Sequence, residues 1–174
     1  MNYEQSSYRH SGRLVVAGVA GGVGTTAVAL SLSGGDARVF TGRDADILVC
    51  RTTAESLLRA SRVACLLGKR LGAVAVNALD GSRPARPIAA RIRLLESATA
   101  TVMIPFVPAL LSAPDPHSVL RSALRTPESA LSKPLRRFLS AVRELAAAAG
   151  DRPAIPVAPS RPAPAQPAKR GLAR

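Results

Sequence analysis

The sequence predicts an α/β domain of three layers, a mostly parallel sheet with helices on both faces. Three observations lead to that class. Short apolar runs recur along the chain, and segments with helical spacing alternate with them. The connections are short, so neighbouring strands have to be joined by crossover helices. A glycine-rich turn joins the first apolar run directly to the first helix.

Taken in order, residues 1–12 are polar and read as a flexible N-terminus. Arg13 to Val19 reads as a buried strand, expected at the centre of the sheet. Thr25 to Ser33 reads as a short helix stopped by Gly34-Gly35, and Ala37 to Phe40 as a short edge strand. Ile47 to Cys50 is the next buried strand. Thr53 to Lys69 reads as a helix with Thr53 as N-cap and Leu57, Ser61, Ala64, Cys65 and Gly68 along one face. Ala73 to Val76 is a strand ending at Asn77. Ala85 to Glu96 is a basic amphipathic helix, and Thr101 to Ile104 a strand stopped by Pro105 and Pro108. Pro127 to Ala149 reads as one long closing helix with Leu131, Leu135, Phe138, Leu139, Val142 and Leu145 as its apolar stripe. The domain therefore spans 13–149. Residues 150–174 carry prolines at every third position from Pro153 to Pro162 and read as a disordered Pro/Ala/Arg-rich tail.

Composition narrows the functional classes. A chain of 174 residues that is 47% hydrophobic supports one domain with a sizeable core. Only 3% of residues are aromatic, so that core is aliphatic. The formal net charge of +13 favours polyanionic contacts, to DNA, anionic lipid or an acidic protein, or reflects a strongly solvated surface. Two cysteines exclude a disulfide framework, and both read as small core residues in a reducing, cytoplasmic compartment. Leu14 to Gly35 is uncharged and follows Arg9 and Arg13, as an export signal or membrane span would. The glycine cluster and two threonines inside it suit a turn instead.

The candidate site is Gly21-Gly22-Val23-Gly24-Thr25-Thr26. Strand, glycine turn and helix start together form a layout that cradles phosphate: glycines let successive N–H groups converge, and a helix start adds partial positive charge. Thr26 could hold a metal-phosphate group through its hydroxyl or act as a first-turn helix residue. Asn77 could read a base or form the turn before Asp80-Gly81. Arg51 ends a strand and could supply charge or be solvated. The glycine loop, Arg51, Asn77 and Pro105 all fall at the carboxyl ends of strands, where ligands bind in open parallel sheets. Asp44 and Asp46 precede a strand, at the opposite edge, and read as cap or turn residues. His10 and His117 are isolated from any ligand-spaced partner, and no acid–base or nucleophile set stands out.

From Leu14 to Leu32 the chain resembles the deviant Walker A region of the MinD/ParA family of P-loop ATPases, whose pattern is Lys-Gly-Gly-Val-Gly-Lys-Thr-Thr. Ala20 stands for the first lysine, Thr25 for the second, and Thr26 for the hydroxyl that holds Mg²⁺. DILVCRTTAESLL (46–58), AVAVN (73–77) and VMIPF (102–106) are similar to later segments of the family in the same order. The resemblance implies ATP and Mg²⁺ as cofactors. It implies Gly21, Gly22, Val23, Gly24, Thr25 and Thr26 around the phosphates, Asn77 and Pro105 at the base, and Thr26 on the metal. Both lysines are missing, and the chain between the first helix and Asp46 is too short for the family's switch region. The resemblance therefore implies a reduced, degenerate member. It would be an accessory or regulatory module of a partition, secretion or pilus-type assembly, with weak or no ATP hydrolysis. Its expected partners are a full-length ATPase or membrane-associated machine, DNA or anionic lipid through the basic surface, or a second copy in a homodimer. Its expected place is the cytoplasm, peripheral at membrane or nucleoid. The alternatives are a working nucleotide-dependent switch and a basic nucleic-acid-binding protein without nucleotide dependence.

Overall fold

The computed structural model describes residues 13–150, so the expectations for the N-terminus and the proline-rich tail lie outside the described residues. Five strands form one all-parallel sheet: β1 (Val15–Gly18), β2 (Gly35–Val39), β3 (Ile47–Arg51), β4 (Ala73–Asn77) and β5 (Ala100–Ile104), in the order β2-β1-β3-β4-β5. Six α-helices alternate with them or follow: α1 (Thr25–Ser31), α2 (Ala54–Leu67), α3 (Arg86–Ala98), α4 (Pro108–Ser112), α5 (Pro116–Arg125) and α6 (Lys133–Gly150). The chain moves to one side of β1 through α1 and to the other side of β3 through α2. Right-handed crossovers then put α1 and α2 on opposite faces. The packing agrees, with α2 against α3 and β3, and α1 against α5 while α6 covers β4 and β5.

The expected parallel α/β class holds, with one change of order. β3, not β1, is the central strand. Its residues Ile47, Leu48, Val49 and Cys50 are fully buried, as are Ala73 to Val76 of β4. That is the continuous apolar run of a strand covered on both faces. β1 is displaced toward the edge because β2 alone lies beyond it, and the return from β2 to β3 through residues 40–46 carries no helix. β2 is an exposed edge strand. Its pairing with β1 slips between Val16 and Gly18, and Arg38 takes a left-handed φ of 59° beside the slip. Such a bulge blunts an open edge against adding further strands.

Two helices, α2 and α5, begin where a side chain satisfies the first N–H groups. Thr53 caps α2, its hydroxyl accepting from the Ser56 N–H at 3.2 Å. α2 buries Ser56, Leu57, Ala60, Ala64 and Leu67 and stops at Leu67, with a 3₁₀ turn over Gly68–Arg70. Cys65 and Gly68 therefore face solvent rather than the core, one helical position away from the stripe that packs. Cys50 is buried as expected, and burial pushes its thiol up to about 12. The closing helix is also shorter than expected. A 3₁₀ turn at Glu128–Ala130 and an extended Leu131 precede α6, which starts at Lys133 because Pro134 fits only a first turn. α4 and α5 are additions to the sequence reading. Asp115 caps α5 by accepting from the N–H groups of His117 and Ser118, with Pro116 opening the helix.

The amino edge of the sheet is tied together by one residue. Asp46 accepts the Val15 N–H on its carboxylate at 2.8 Å and donates its own N–H to the Val15 carbonyl at 2.9 Å. Its carbonyl accepts from Gly72 and Ala73. Asp46 thereby couples β1, β3 and β4 at the end opposite the glycine loop, the structural role expected for it. Asp44 pairs with Arg70 at 2.9 Å on the same edge. Among the described residues, no helix is long and apolar enough to cross a membrane.

A hydrogen bond to a charged partner contributes about 1.5–3 kcal/mol. Asp46→Ala should lower the unfolding free energy by about that amount in urea denaturation, and Asp46→Asn by less, because an amide oxygen still accepts from Val15. Equal losses for both variants would mean that the carboxylate charge matters and the acceptor geometry does not.

Candidate functional site

The glycine loop, residues 19–24, leaves β1 at the carboxyl edge and turns into α1. Gly18 ends the strand where no other residue fits, since a Cβ there would lie 2.2 Å from Thr25 Oγ1 and 2.7 Å from Val23 Cγ2. Val23 is buried and anchors the loop in the core, while Gly21 and Gly22 stay exposed. Gly22 and Gly24 take left-handed φ values of 71° and 94°.

Two side chains brace this loop, and both come from the ends of neighbouring strands. Arg51 and Asn77 are register partners on β3 and β4. The Arg51 guanidinium donates to the Gly22 carbonyl. The Asn77 Nδ2 donates to the Val23 carbonyl at 2.5 Å. Gly24 makes room for this, because a Cβ on it would sit 2.3 Å from Asn77 Nδ2. Every peptide here is trans, so the N–H of each unit points away from its carbonyl. Fixing the carbonyls of Gly22 and Val23 onto Arg51 and Asn77 therefore turns the N–H groups of Val23 and Gly24 away from those two side chains. No side chain caps α1, so its first N–H groups add to the same set of donors.

The threonines at the loop's end divide their roles. Thr25 is buried with its hydroxyl against Gly18, so this position carries a neutral, inward side chain. Ala20 is half-buried against the core. Thr26 is exposed, and its hydroxyl donates to Asp36 Oδ2 on β2 at 2.7 Å. The other Asp36 oxygen accepts the Arg38 N–H at 2.7 Å. Sequence reasoning missed Asp36; only the parallel pairing of β1 with β2 brings it to the loop.

The expected site residues separate into two clusters. Gly21 to Thr26, Asn77 and Arg51 form the loop cluster. Pro105 follows β5, three strands from β1, in a cavity of about 390 Å³ lined by Ala78, Asp80, Gly81, Ser82, Phe106, Lys133, Pro134 and Arg137. Asn77 and Pro105 stand at adjacent strand ends, but the Asn77 amide nitrogen is directed to the loop. Among the described residues, no group of three or more His, Cys, Asp and Glu side chains could hold a metal ion. The arrangement can present backbone N–H donors to an anion, with no lysine and no free carboxylate in the loop itself.

Comparison with known proteins finds no matching family model, no matching curated protein and no matching solved structure.

The contact between Gly24 and Asn77 can be separated from the strain at Gly24. A left-handed non-glycine residue costs about 1–2 kcal/mol, and the clash with Nδ2 adds to it. Gly24→Ala should therefore destabilise more in the native background than in Asn77→Ala, as read by a thermal-melt double-mutant cycle. Additive losses would show that Asn77 gives way without cost.

Proposed function

We propose that the chain is a degenerate MinD/ParA-like P-loop module that acts as an accessory or regulatory component of a larger assembly and turns ATP over weakly or not at all. The observation that carries this reading is the loop braced from within by Arg51 and Asn77 while Thr25 is buried. Such a loop keeps the shape of a phosphate cradle without the ammonium that stabilises a transferred phosphoryl group. Phosphoryl transfer depends on positioning and on electrostatic stabilisation, and a loop supplying N–H dipoles alone contributes chiefly to the first. Arg51 is not free to replace the lysine, since its guanidinium is engaged with Gly22. Thr26 and Asp36 already satisfy one another, and Mg²⁺ would have to displace that hydrogen bond to use the hydroxyl. The two residues best suited to activation are thus spent on holding the loop.

In this reading the partner is a complete ATPase or a membrane-associated machine, with DNA, anionic lipid or a second copy as the other surfaces that a charge of +13 favours. The cytoplasmic side of a membrane or the nucleoid is the corresponding location. A second reading, a working nucleotide-dependent switch, gains one specific observation: the Thr26–Asp36 pair sets a hydroxyl beside a carboxylate at the loop, which together could take up a cation.

Calorimetric titration with ATP and Mg²⁺ separates the two. A lost ammonium contact is worth on the order of 1.5–3 kcal/mol, roughly ten- to a hundredfold in affinity. The native chain should bind ATP weakly, with hydrolysis at background. Thr25→Lys should bind more tightly and still not turn over. Clear turnover by the native chain, abolished by Thr26→Ala, would favour the switch instead.

A further inference from the structure

The cavity beyond β4 and β5 has a chemistry that the glycine loop lacks. Its walls come from the turn after β4 (Ala78, Asp80, Gly81, Ser82), from Pro105 and Phe106 after β5, and from the start of α6 (Lys133, Pro134, Arg137). It lies at the carboxyl edge of the sheet, where open α/β folds take ligands, and its volume of about 390 Å³ suits a small organic molecule. A second cavity of about 200 Å³ shares Ala78, Asp80 and Ser82 with it and continues toward Ile88 of α3.

The cations here are placed at an electrostatic cost. Lys133 and Arg137 are four residues apart on one helix, where like charges repel. The first turn of α6 holds no acidic residue to offset them. The ion pairs among the described residues are Arg59–Glu55, Arg70–Asp44 and Arg143–Glu128, and none uses Lys133 or Arg137. Arg136, between them, is turned to the Leu131 carbonyl at 3.1 Å. Two cations one turn apart, without an ion pair among the described residues and on the lining of one cavity, go against the local preferences that stabilise a helix, as residues at functional sites can. The rest of the lining is of another kind. Pro105, Phe106 and Ala78 offer an apolar surface, and Asp80 is fixed by the N–H and hydroxyl of Ser82, which hold its carboxyl below the usual carboxylate range.

The geometry points to a binding site for a small organic monophosphate, with the phosphate on Lys133 and Arg137 and the hydroxyl-bearing body against Phe106, Pro105 and Asp80. A dianion matches the two cations. The ionised Asp80 accepts from ligand hydroxyls and repels a second negative group, which selects a monophosphate over a di- or triphosphate. The site is separate from the glycine loop and does not depend on how that loop is used.

Ribose 5-phosphate and inorganic phosphate are the probes, titrated into the full chain and followed by calorimetry and by amide chemical shifts. Ribose 5-phosphate should bind saturably and more tightly than inorganic phosphate. Binding should weaken at least tenfold in Lys133→Ala with Arg137→Ala, and should be unchanged in Thr26→Ala. Both changed side chains are exposed, and removing a like-charge pair should leave the melting temperature equal or higher. Asp80→Asn should narrow the preference for ribose 5-phosphate over ribose 1,5-bisphosphate. Absence of saturable ribose 5-phosphate binding would overturn the assignment. So would binding that survives the double substitution or is lost in Thr26→Ala.

Discussion

The hydrogen bond from Asn77 to the Val23 carbonyl sets the conformation on which the loop depends. It joins the end of β4 to the backbone of the glycine loop. Its cost is recorded in Gly24, which must be glycine both for its φ of 94° and for the closeness of the amide. Arg51 repeats the device one strand over, because parallel register brings it level with Asn77. The two braces work only if the strand ends stay aligned. Asp46 secures that alignment at the far edge by binding β1, β3 and β4 together. A loop of dipoles is thus suspended from a rigid sheet, and its rigidity comes from the fold rather than from an occupant.

Charge is distributed in the opposite way. The loop has no cation free to meet a phosphate, although the chain as a whole carries +13. At the ends of β4 and β5, Lys133 and Arg137 line a cavity that also holds Asp80, and neither forms an ion pair among the described residues. The carboxyl edge of one sheet therefore holds two dissimilar surfaces, one of neutral donors and one of full charges. The proposed reading, an accessory module with a loop of neutral donors, is consistent with this division. An efficient phosphoryl-transfer enzyme would concentrate both kinds of group on the same phosphate.

Much of the fold was legible because the central strands are continuous apolar runs and α2 starts at a recognisable cap. Ile47 to Cys50 and Ala73 to Val76 are buried on both faces and read so directly. Thr53 announced α2 in the same way. The order of strands was not legible, since periodicity says which residues are buried and not which strand lies between which. α5 carried a readable signal in Asp115-Pro116, a cap followed by a first-turn proline, but its short length blended with the proline-rich stretch around it. At the site, the glycines and their place after β1 were evident from spacing. What braces them was not, because Arg51, Asn77 and Asp36 reach the loop through tertiary pairing alone. Each of the three is a polar residue at or near a strand end, a position that leaves several partners open until register is known.

The central claim is that the loop is formed before any ligand arrives, and backbone ¹⁵N relaxation on the ligand-free chain tests it most directly. The amides of Val23 and Gly24 should show order parameters near those of the rigid sheet, about 0.85, and should fall when Asn77 is replaced by alanine. Values below about 0.6 in the native chain would contradict the account, since the loop would then be flexible despite its braces.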